Sequence, residues 1–302
     1  MILTVTLNPA VDHTVNVEGK LDPERVTRAD IARYDAGGKG INVSKYLTGL
    51  GVETVATGIV GGLFGEYVTR QLSRTKIPHD FVEMSGCTRL NTTILTDDEE
   101  NKINQSGNAV TRETTRAVIE TVRGYDPEVV VVAGSLPPGV GAATIDRIAD
   151  AGDWDTVVDV SGHLLEQLRV DYALAKPNRQ ELATATGMPT DTVDDCIAAA
   201  TALQTTGFER VVASLGADGA VLATPTETLA VSATRTDVVD TAGAGYAMLA
   251  GIVAALFRDL SDEAALQYGT AVAARSVTVP GTSVPDLSEM DEIASDLRVR
   301  SD

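Results

Sequence analysis

Val129-Val130-Val131-Val132 is the run that most narrows the fold. A strand with one face in water alternates apolar and polar residues. Four valines in succession instead fit a strand covered on both faces, as an inner strand of a parallel sheet is. Parallel strands need crossover connections, and the chain supplies them. Beyond the run, the patterning predicts helix 142–151, strand 156–160, helix 164–168, strand 172–175, helices 180–186 and 192–205, strand 210–214, and helices 244–257 and 263–277. Ahead of it come strand 2–7, a helix over 41–47 ending at Gly49 or Gly51, strand 54–60, and helices 65–74 and 111–123. The expected class is α/β: a doubly wound, mostly parallel sheet with helices on both faces.

Two stretches break the alternation. Val11, His13, Val15 and Val17 alternate as in a half-exposed strand, residues 27–34 read as a second one, and 81–104 read as short strands with polar turns. The stretches 11–36 and 79–105 are expected to form a small sheet at the C-terminal edge of the main one, where open α/β sheets bind ligands. Without internal repeat, linker or clean boundary, residues 1–302 are expected to form one domain.

Hydrophobic residues at 43% with aromatics at 4% suit an Ala/Val/Leu-rich α/β protein and exclude a disordered one. No apolar run reaches membrane-spanning length, and no basic segment precedes an apolar stretch at the N-terminus, so a cytoplasmic protein is expected. Cys87 and Cys196 are far apart, and His13, His79 and His163 are scattered. Neither a disulfide framework nor a zinc site is expected. The formal charge of −19 argues against nucleic acid as a partner. It also repels anionic substrates, so any phosphate site must be a local concentration of Lys, Arg and backbone N–H groups. Only six of the 24 basic residues are lysine, and acid is dispersed, as in Asp97-Asp98-Glu99-Glu100 and Asp194-Asp195. That surface fits adaptation to high salt; the alternative is an acidic protein without it.

Five segments carry chemistry. Gly37-Gly38-Lys39-Gly40-Ile41-Asn42 joins a strand to a helix; it reads equally as a polyol or phosphate cradle and as a plain glycine turn. Gly134-Ser135-Leu136-Pro137-Pro138-Gly139 follows the valine strand at its ligand-binding end; a Pro-Gly turn explains its prolines but not its Gly-Ser start. In Lys176-Pro177-Asn178-Arg179-Gln180-Glu181, Asn178 and Glu181 share a helical face, as a capping box, as ligands of Mg²⁺-bound water, or as both. Ser214-Leu215-Gly216-Ala217-Asp218-Gly219-Ala220 alone looks like a hairpin connector. Most specific is Asp240 to Tyr246, where Thr241, Gly243, Ala244 and Gly245 open an apolar helix and build a nest of N–H groups for a phosphoryl group.

In this order, the segments resemble the PfkB (ribokinase-like) family of carbohydrate kinases across nearly the whole chain. Thr4-Val5-Thr6-Leu7-Asn8-Pro9-Ala10-Val11-Asp12, with Gly37 to Ser44, is similar to the family's sugar-phosphate branch. The match is of the 1-phosphofructokinase type, with tagatose-6-phosphate kinase and 6-phosphofructokinase as near relatives. The resemblance implies a ribokinase-like fold whose two strand-rich stretches form a lid that often serves as a homodimer interface. It implies ATP-dependent phosphorylation of a sugar phosphate with Mg²⁺: fructose 1-phosphate to fructose 1,6-bisphosphate, or alternatively fructose 6-phosphate or tagatose 6-phosphate as acceptor. Asp12, Gly38 and Asn42, with Gly37, would hold the sugar. Arg89 matches the family's phosphate-binding arginine, Lys39 and Arg28 would assist it, and Ser135 would lie near the substrate. Lys176, Asn178 and Glu181 match the Asn-x-x-Glu motif near Mg²⁺ and the phosphates, Glu181 acting through water. Ser214, Gly216, Gly219 and Thr241 would line the nucleotide site.

The chain departs from the family at Tyr246, where the family has the aspartate base for the acceptor hydroxyl. A phenol of reference pKa about 10 is mostly protonated at neutral pH and is a poor base. Asp240, six residues earlier on the other side of the nest, is not expected to substitute. Three explanations stay open: a sugar-phosphate-binding protein without turnover, a kinase with an altered base, and transfer through another base or the substrate itself.

Overall fold

Both faces of the valine strand are covered. Val131 packs among Val43, Leu47 and Ile252, whereas Val130 and Val132 pack among Val118, Ile145 and Leu182 on the other face. Each such burial stabilises the fold by about 1.5–3 kcal/mol relative to exposure.

The computed structural model describes residues 1–21, 24, 26–234 and 236–301. Asp22, Pro23 and Arg25, within the expected stretch 11–36, lie outside the described residues. In chain order the elements are β1 (Ile2–Thr6), β2 (Ala10–Asn16), β3 (Ile31–Gly37), α1 (Lys39–Gly49), β4 (Thr54–Val60), α2 (Gly62–Arg74), β5 (His79–Glu83), β6 (Arg89–Leu95), β7 (Glu100–Asn104), α3 (Arg112–Tyr125) and β8 (Val129–Ala133). Then follow α4 (Ala142–Ala149), β9 (Asp155–Asp159), α5 (Gly162–Leu165), β10 (Tyr172–Ala175), α6 (Arg179–Thr186), α7 (Val193–Gln204) and β11 (Phe208–Ser214). The last are β12 (Ala220–Ala223), β13 (Thr228–Val231), α8 (Ala244–Leu256), α9 (Asp262–Ser276), α10 (Met290–Ser295) and β14 (Val299–Ser301).

Among the described residues the main sheet runs β14-β13-β12-β11-β10-β9-β8-β1-β4-β5. Pairings from β5 to β11 are parallel, and β12 to β14 add an antiparallel edge. Helices α1, α8 and α9 cover one face; α3, α4, α6 and α7 cover the other. Helix α8 is apolar all round because it is enclosed: every residue from Ala247 to Ala255 is buried. No helix among the described residues is long and apolar enough to cross a membrane.

A second sheet has the order β3-β2-β6-β7, with β2 antiparallel to β3 and parallel to β6. Its register puts Ala10, Gly37 and Arg89 in one row at the buried root of the sheet, and Asp12, Asp35 and Asn91 in a row two residues further out.

Several expectations need correction. Residues 79–83, expected in the small sheet, form β5 in the main sheet beside β4, because Phe81 packs against Val60, Val68 and Leu72. The strand expected over 27–34 is β3, shifted toward Gly37 by its pairing with the whole of β2. The helix expected over 164–168 is the single turn α5. The hairpin connector read at residues 214–220 does join β11 to an antiparallel β12, whereas β13, β14 and helix α10 were not foreseen: they are short segments without a sustained period.

Candidate active site

The ends of β1, β8, β9, β10 and β11 converge on one edge of the main sheet, and each delivers part of the site. Asp159 closes β9 and is 1% exposed. Its Oδ1 accepts from Lys39 Nζ at 2.7 Å, and Oδ2 lies 3.5 Å from Lys176 Nζ. Burial alone would raise the Asp159 carboxyl, but Lys176 and then Lys39 outweigh it and hold the group below the ordinary carboxylate range. For Lys39 burial works downward, yet Asp159 and Glu181 together raise its pKa, so it stays charged. Sequence reading missed Asp159; a lone acid inside the otherwise uncharged run Thr156–Val160 was the available signal.

Asn178 and Glu181 form a capping box at the start of α6: Asn178 Oδ1 accepts from Glu181 N at 2.8 Å, and Glu181 Oε2 accepts from Asn178 N at 2.9 Å. Glu181 Oε1 remains, 3.6 Å from Lys39 Nζ. Lys39 therefore faces Asp159 and Glu181, whereas the expectation gave it to the sugar phosphate beside Arg89. Among the described residues no group of three or more His, Cys, Asp or Glu could hold a metal. This donor set fits a hydrated Mg²⁺ shared between phosphates and one carboxylate, not an ion caged by protein.

At the start of α8, Gly243 is the N-cap, with φ 108°. That left-handed backbone favours glycine. No side chain caps the first turn. Its N–H groups therefore lack intrahelical partners and suit an anion. A Cβ on Gly245 would sit 3.6 Å from Lys176 Nζ, so the ammonium lies at the mouth of this turn. Ser214, Gly216, Gly219 and Thr241 line a cavity of 450 Å³ with Gly245 and Met248. The structure thus brings together the residues expected at the nucleotide.

Residues expected on the sugar side meet at the root of the small sheet. Arg89 donates from Nε to the Asn8 carbonyl at 3.2 Å, from Nη1 to the Gln105 carbonyl at 2.9 Å and from Nη2 to Ser135 Oγ at 3.0 Å. Asn8, also unforeseen, donates to Ser135 Oγ at 3.2 Å. Asp12 Oδ1 accepts from Asn91 Nδ2 at 3.0 Å, and a Cβ on Gly37 would fall 2.0 Å from Asp12 Oδ2. Burial raises the Asp12 carboxyl, against Asn91, Lys45 and Arg89, which lower it. Gly38 is the N-cap of α1, and Asn42 is buried in its first turn. Asp12, Asp35, Asn91, Asp240 and Gly281 line an 810 Å³ cleft under the small sheet. Arg28 is exposed ahead of β3 and makes no hydrogen bond or ion pair with these residues.

Tyr246 sits in the first turn of α8, its ring tilted against Tyr46 with centroids 5.8 Å apart. Its hydroxyl is buried without a partner among the described residues, and a Cβ on Gly243 would lie 2.3 Å from it. Burial first, then Tyr46, Asp12, Asp240 and Asp35, push the phenol pKa further up. Asp240 is committed to backbone: Oδ1 accepts from Ala242 N at 2.8 Å and Oδ2 from Gly281 N at 2.9 Å.

The match to pfkB family carbohydrate kinases spans residues 5–289. The chain belongs to that family. It is 47% identical over 290 residues to a 1-phosphofructokinase of Haloferax volcanii, covering 96% of this chain and 95% of the relative. It is 34% identical to a D-tagatose-1-phosphate kinase of Bacillus licheniformis, covering 99% of each. Its fold superposes on phosphofructokinase-2 of Escherichia coli in complex with potassium with a TM-score of 0.90, at 27% identity over 97% of this chain and 98% of that one. The ribokinase-like α/β fold with its small sheet, and the assignment as a carbohydrate kinase near the 1-phosphofructokinases, therefore stand.

Proposed function

We propose that this protein phosphorylates fructose 1-phosphate from ATP to fructose 1,6-bisphosphate, and that Tyr246 slows the transfer. The observation that supports a sugar phosphate is Arg89. Among the described residues it forms no ion pair, and its fork is held by two carbonyls and a hydroxyl. A guanidinium so fixed suits bidentate phosphate. Asp12 and Asn42 would hold sugar hydroxyls between Arg89 and the nest. Lys176 and the first turn of α8 would receive the transferring phosphoryl group, and the small-residue cavity behind Thr241 would take the nucleotide. Mg²⁺, when bound, would neutralise phosphate oxygens, with Glu181 holding it through water.

As the new O–P bond forms and the bond to ADP breaks, the acceptor hydroxyl must lose its proton. Tyr246 already carries one, and both oxygens of Asp240 are engaged. Lacking a general base slows such a step by roughly 10²–10⁴-fold. The second reading, binding without transfer, is favoured by the Tyr246 hydroxyl lying against Gly243 in the nest itself. Exposed Ile31 and Ile103 on the small sheet fit a homodimer through that sheet, acting as a lid. We place the protein in a cytoplasm of high salt, on its dispersed acid.

The test is ATP-dependent phosphorylation of fructose 1-phosphate in molar KCl with Mg²⁺, by this chain and by Tyr246→Asp. Turnover confined to, or greatly raised in, the aspartate variant is expected. Equal turnover sinks the account of the base. No turnover by either, while fructose 6-phosphate or tagatose 6-phosphate is accepted, reassigns the substrate.

A further inference from the structure

Lys45 is an expensive residue to keep where it is. It lies within α1, one turn after Asn42, and could reach solvent as surface lysines do. Instead its ammonium turns back toward the start of its own helix, the end where the backbone dipole disfavours a cation. Nζ donates to the Ala36 carbonyl at 2.6 Å and to Asn42 Oδ1 at 2.9 Å. Burial depresses its pKa to about 8, against Asp35 on β3 and Asp12 on β2, which raise it. Neither carboxylate forms an ion pair with it. Both of its hydrogen bonds go to neutral oxygens, one at the root of the small sheet and one on a sugar-site amide. A leucine or methionine would fill the same space without burying a charge.

What a lysine supplies, and an apolar residue does not, is polarity of one sign. An ammonium only donates, so Asn42 must present its carbonyl oxygen to Lys45. The Asn42 Nδ2 group then has no hydrogen-bond partner among the described residues. Asn42 offers donors, while the neighbouring Asp12 offers acceptors.

We infer that Lys45 is a positioning residue of the sugar site, fixing which way the Asn42 amide faces and tying it to the root of the small sheet at Ala36. The inference rests on the sugar-phosphate reading above. With Lys45 present, a polyol meets a donor at Asn42 beside an acceptor at Asp12, so an oxygen that accepts and a hydroxyl that donates are read side by side. Without it, the Asn42 amide is free to flip, and half of its orientations present the wrong group.

The experiment measures binding of fructose 1-phosphate and, separately, of Mg²⁺-ADP by calorimetry in molar KCl, on the full chain and on Lys45→Met and Lys45→Arg. Lys45→Met is expected to weaken fructose 1-phosphate at least about tenfold, the scale of a lost charge-assisted hydrogen bond, with ADP affinity unchanged. Lys45→Arg, which keeps cationic donors, is expected to restore most of the loss. Unchanged sugar-phosphate affinity in Lys45→Met overturns the inference and leaves the function standing. A wild-type chain that binds ADP but none of fructose 1-phosphate, fructose 6-phosphate and tagatose 6-phosphate removes the function reading and this inference with it. If Lys45→Met loses ADP as well, Lys45→Gln is judged by the same criterion. Loss of both ligands by both neutral variants assigns Lys45 to the fold instead.

Discussion

Tyr246→Phe removes one atom and separates two accounts of the site. The hydroxyl is buried and unpartnered, so the native state carries the desolvation of a polar group with no bond in return. That penalty is about 1–3 kcal/mol, and deleting the oxygen while keeping the ring against Tyr46 should recover it. Unfolding entropy of about 2.1 cal/mol/K per residue, over 302 residues, is about 0.6 kcal/mol per degree. Tm should therefore rise by about 2–5 °C. The assay is thermal unfolding in molar KCl, paired with turnover of fructose 1-phosphate. Residual turnover should be unchanged, because a phenol whose pKa is raised by burial and three carboxylates does not accept the proton. A lower Tm would mean the hydroxyl has a partner and the orphan reading is wrong. Loss of turnover in Tyr246→Phe would mean the phenol does take part in proton transfer, and the argument from its pKa would fall.

Two further substitutions probe the rest of the site. Asp159→Asn should lower stability by about 3–5 kcal/mol, or about 5–8 °C in Tm, because Lys176 at 3% exposure loses its counter-ion while Lys39 at 38% can rehydrate. Since the folded Asp159 pKa is depressed, its contribution is complete above the unfolded value of about 4 and is lost as pH falls through the lower folded value. The Tm gap between the two chains should then close in acid, and a gap constant from pH 7 to pH 3 would refute the assignment. Arg89→Ala should weaken fructose 1-phosphate roughly 10–100-fold and leave ADP affinity unchanged, read by calorimetry; equal weakening of both ligands would count against a phosphate-specific role.

The fold was legible where residues had no choice. Four valines in a row require cover on both faces, and the parallel sheet follows from that. Glycine at 243 and the capping pair Asn178 and Glu181 were also readable, because local backbone geometry selects them. The site was legible in its loops and illegible in its supports. Asp159, Lys45, Asn91 and Asn8 act through partners distant in sequence or through a helix turn back toward its start, and a lone acid or lysine carries no local pattern. The outer part of the antiparallel edge was lost for a related reason: β13 and β14 have four and three residues, too few for any period to declare itself.

The charge of the chain and the charge of its ligands pull in opposite directions, and the supports resolve the conflict. A net −19 repels phosphates at long range. At molar salt the screening length is about 3 Å, so only contacts within the site still matter. There the cations are rationed differently at the two ends. Arg89 is held by neutral oxygens, and the carboxylate that acts on its charge is Asp12, without an ion pair between them. Lys39 and Lys176 share Asp159, and Lys39 also faces Glu181, so two cations are balanced by two carboxylates beside the start of α8. In the nest Ala244 N donates to the Thr241 carbonyl at 3.4 Å, and the unpartnered Tyr246 hydroxyl lies against Gly243. On the proposed reading, the residue that would take the proton is the part of the site that Tyr246 changes, and the turnover of Tyr246→Asp against that of this chain decides whether binding and transfer are separated.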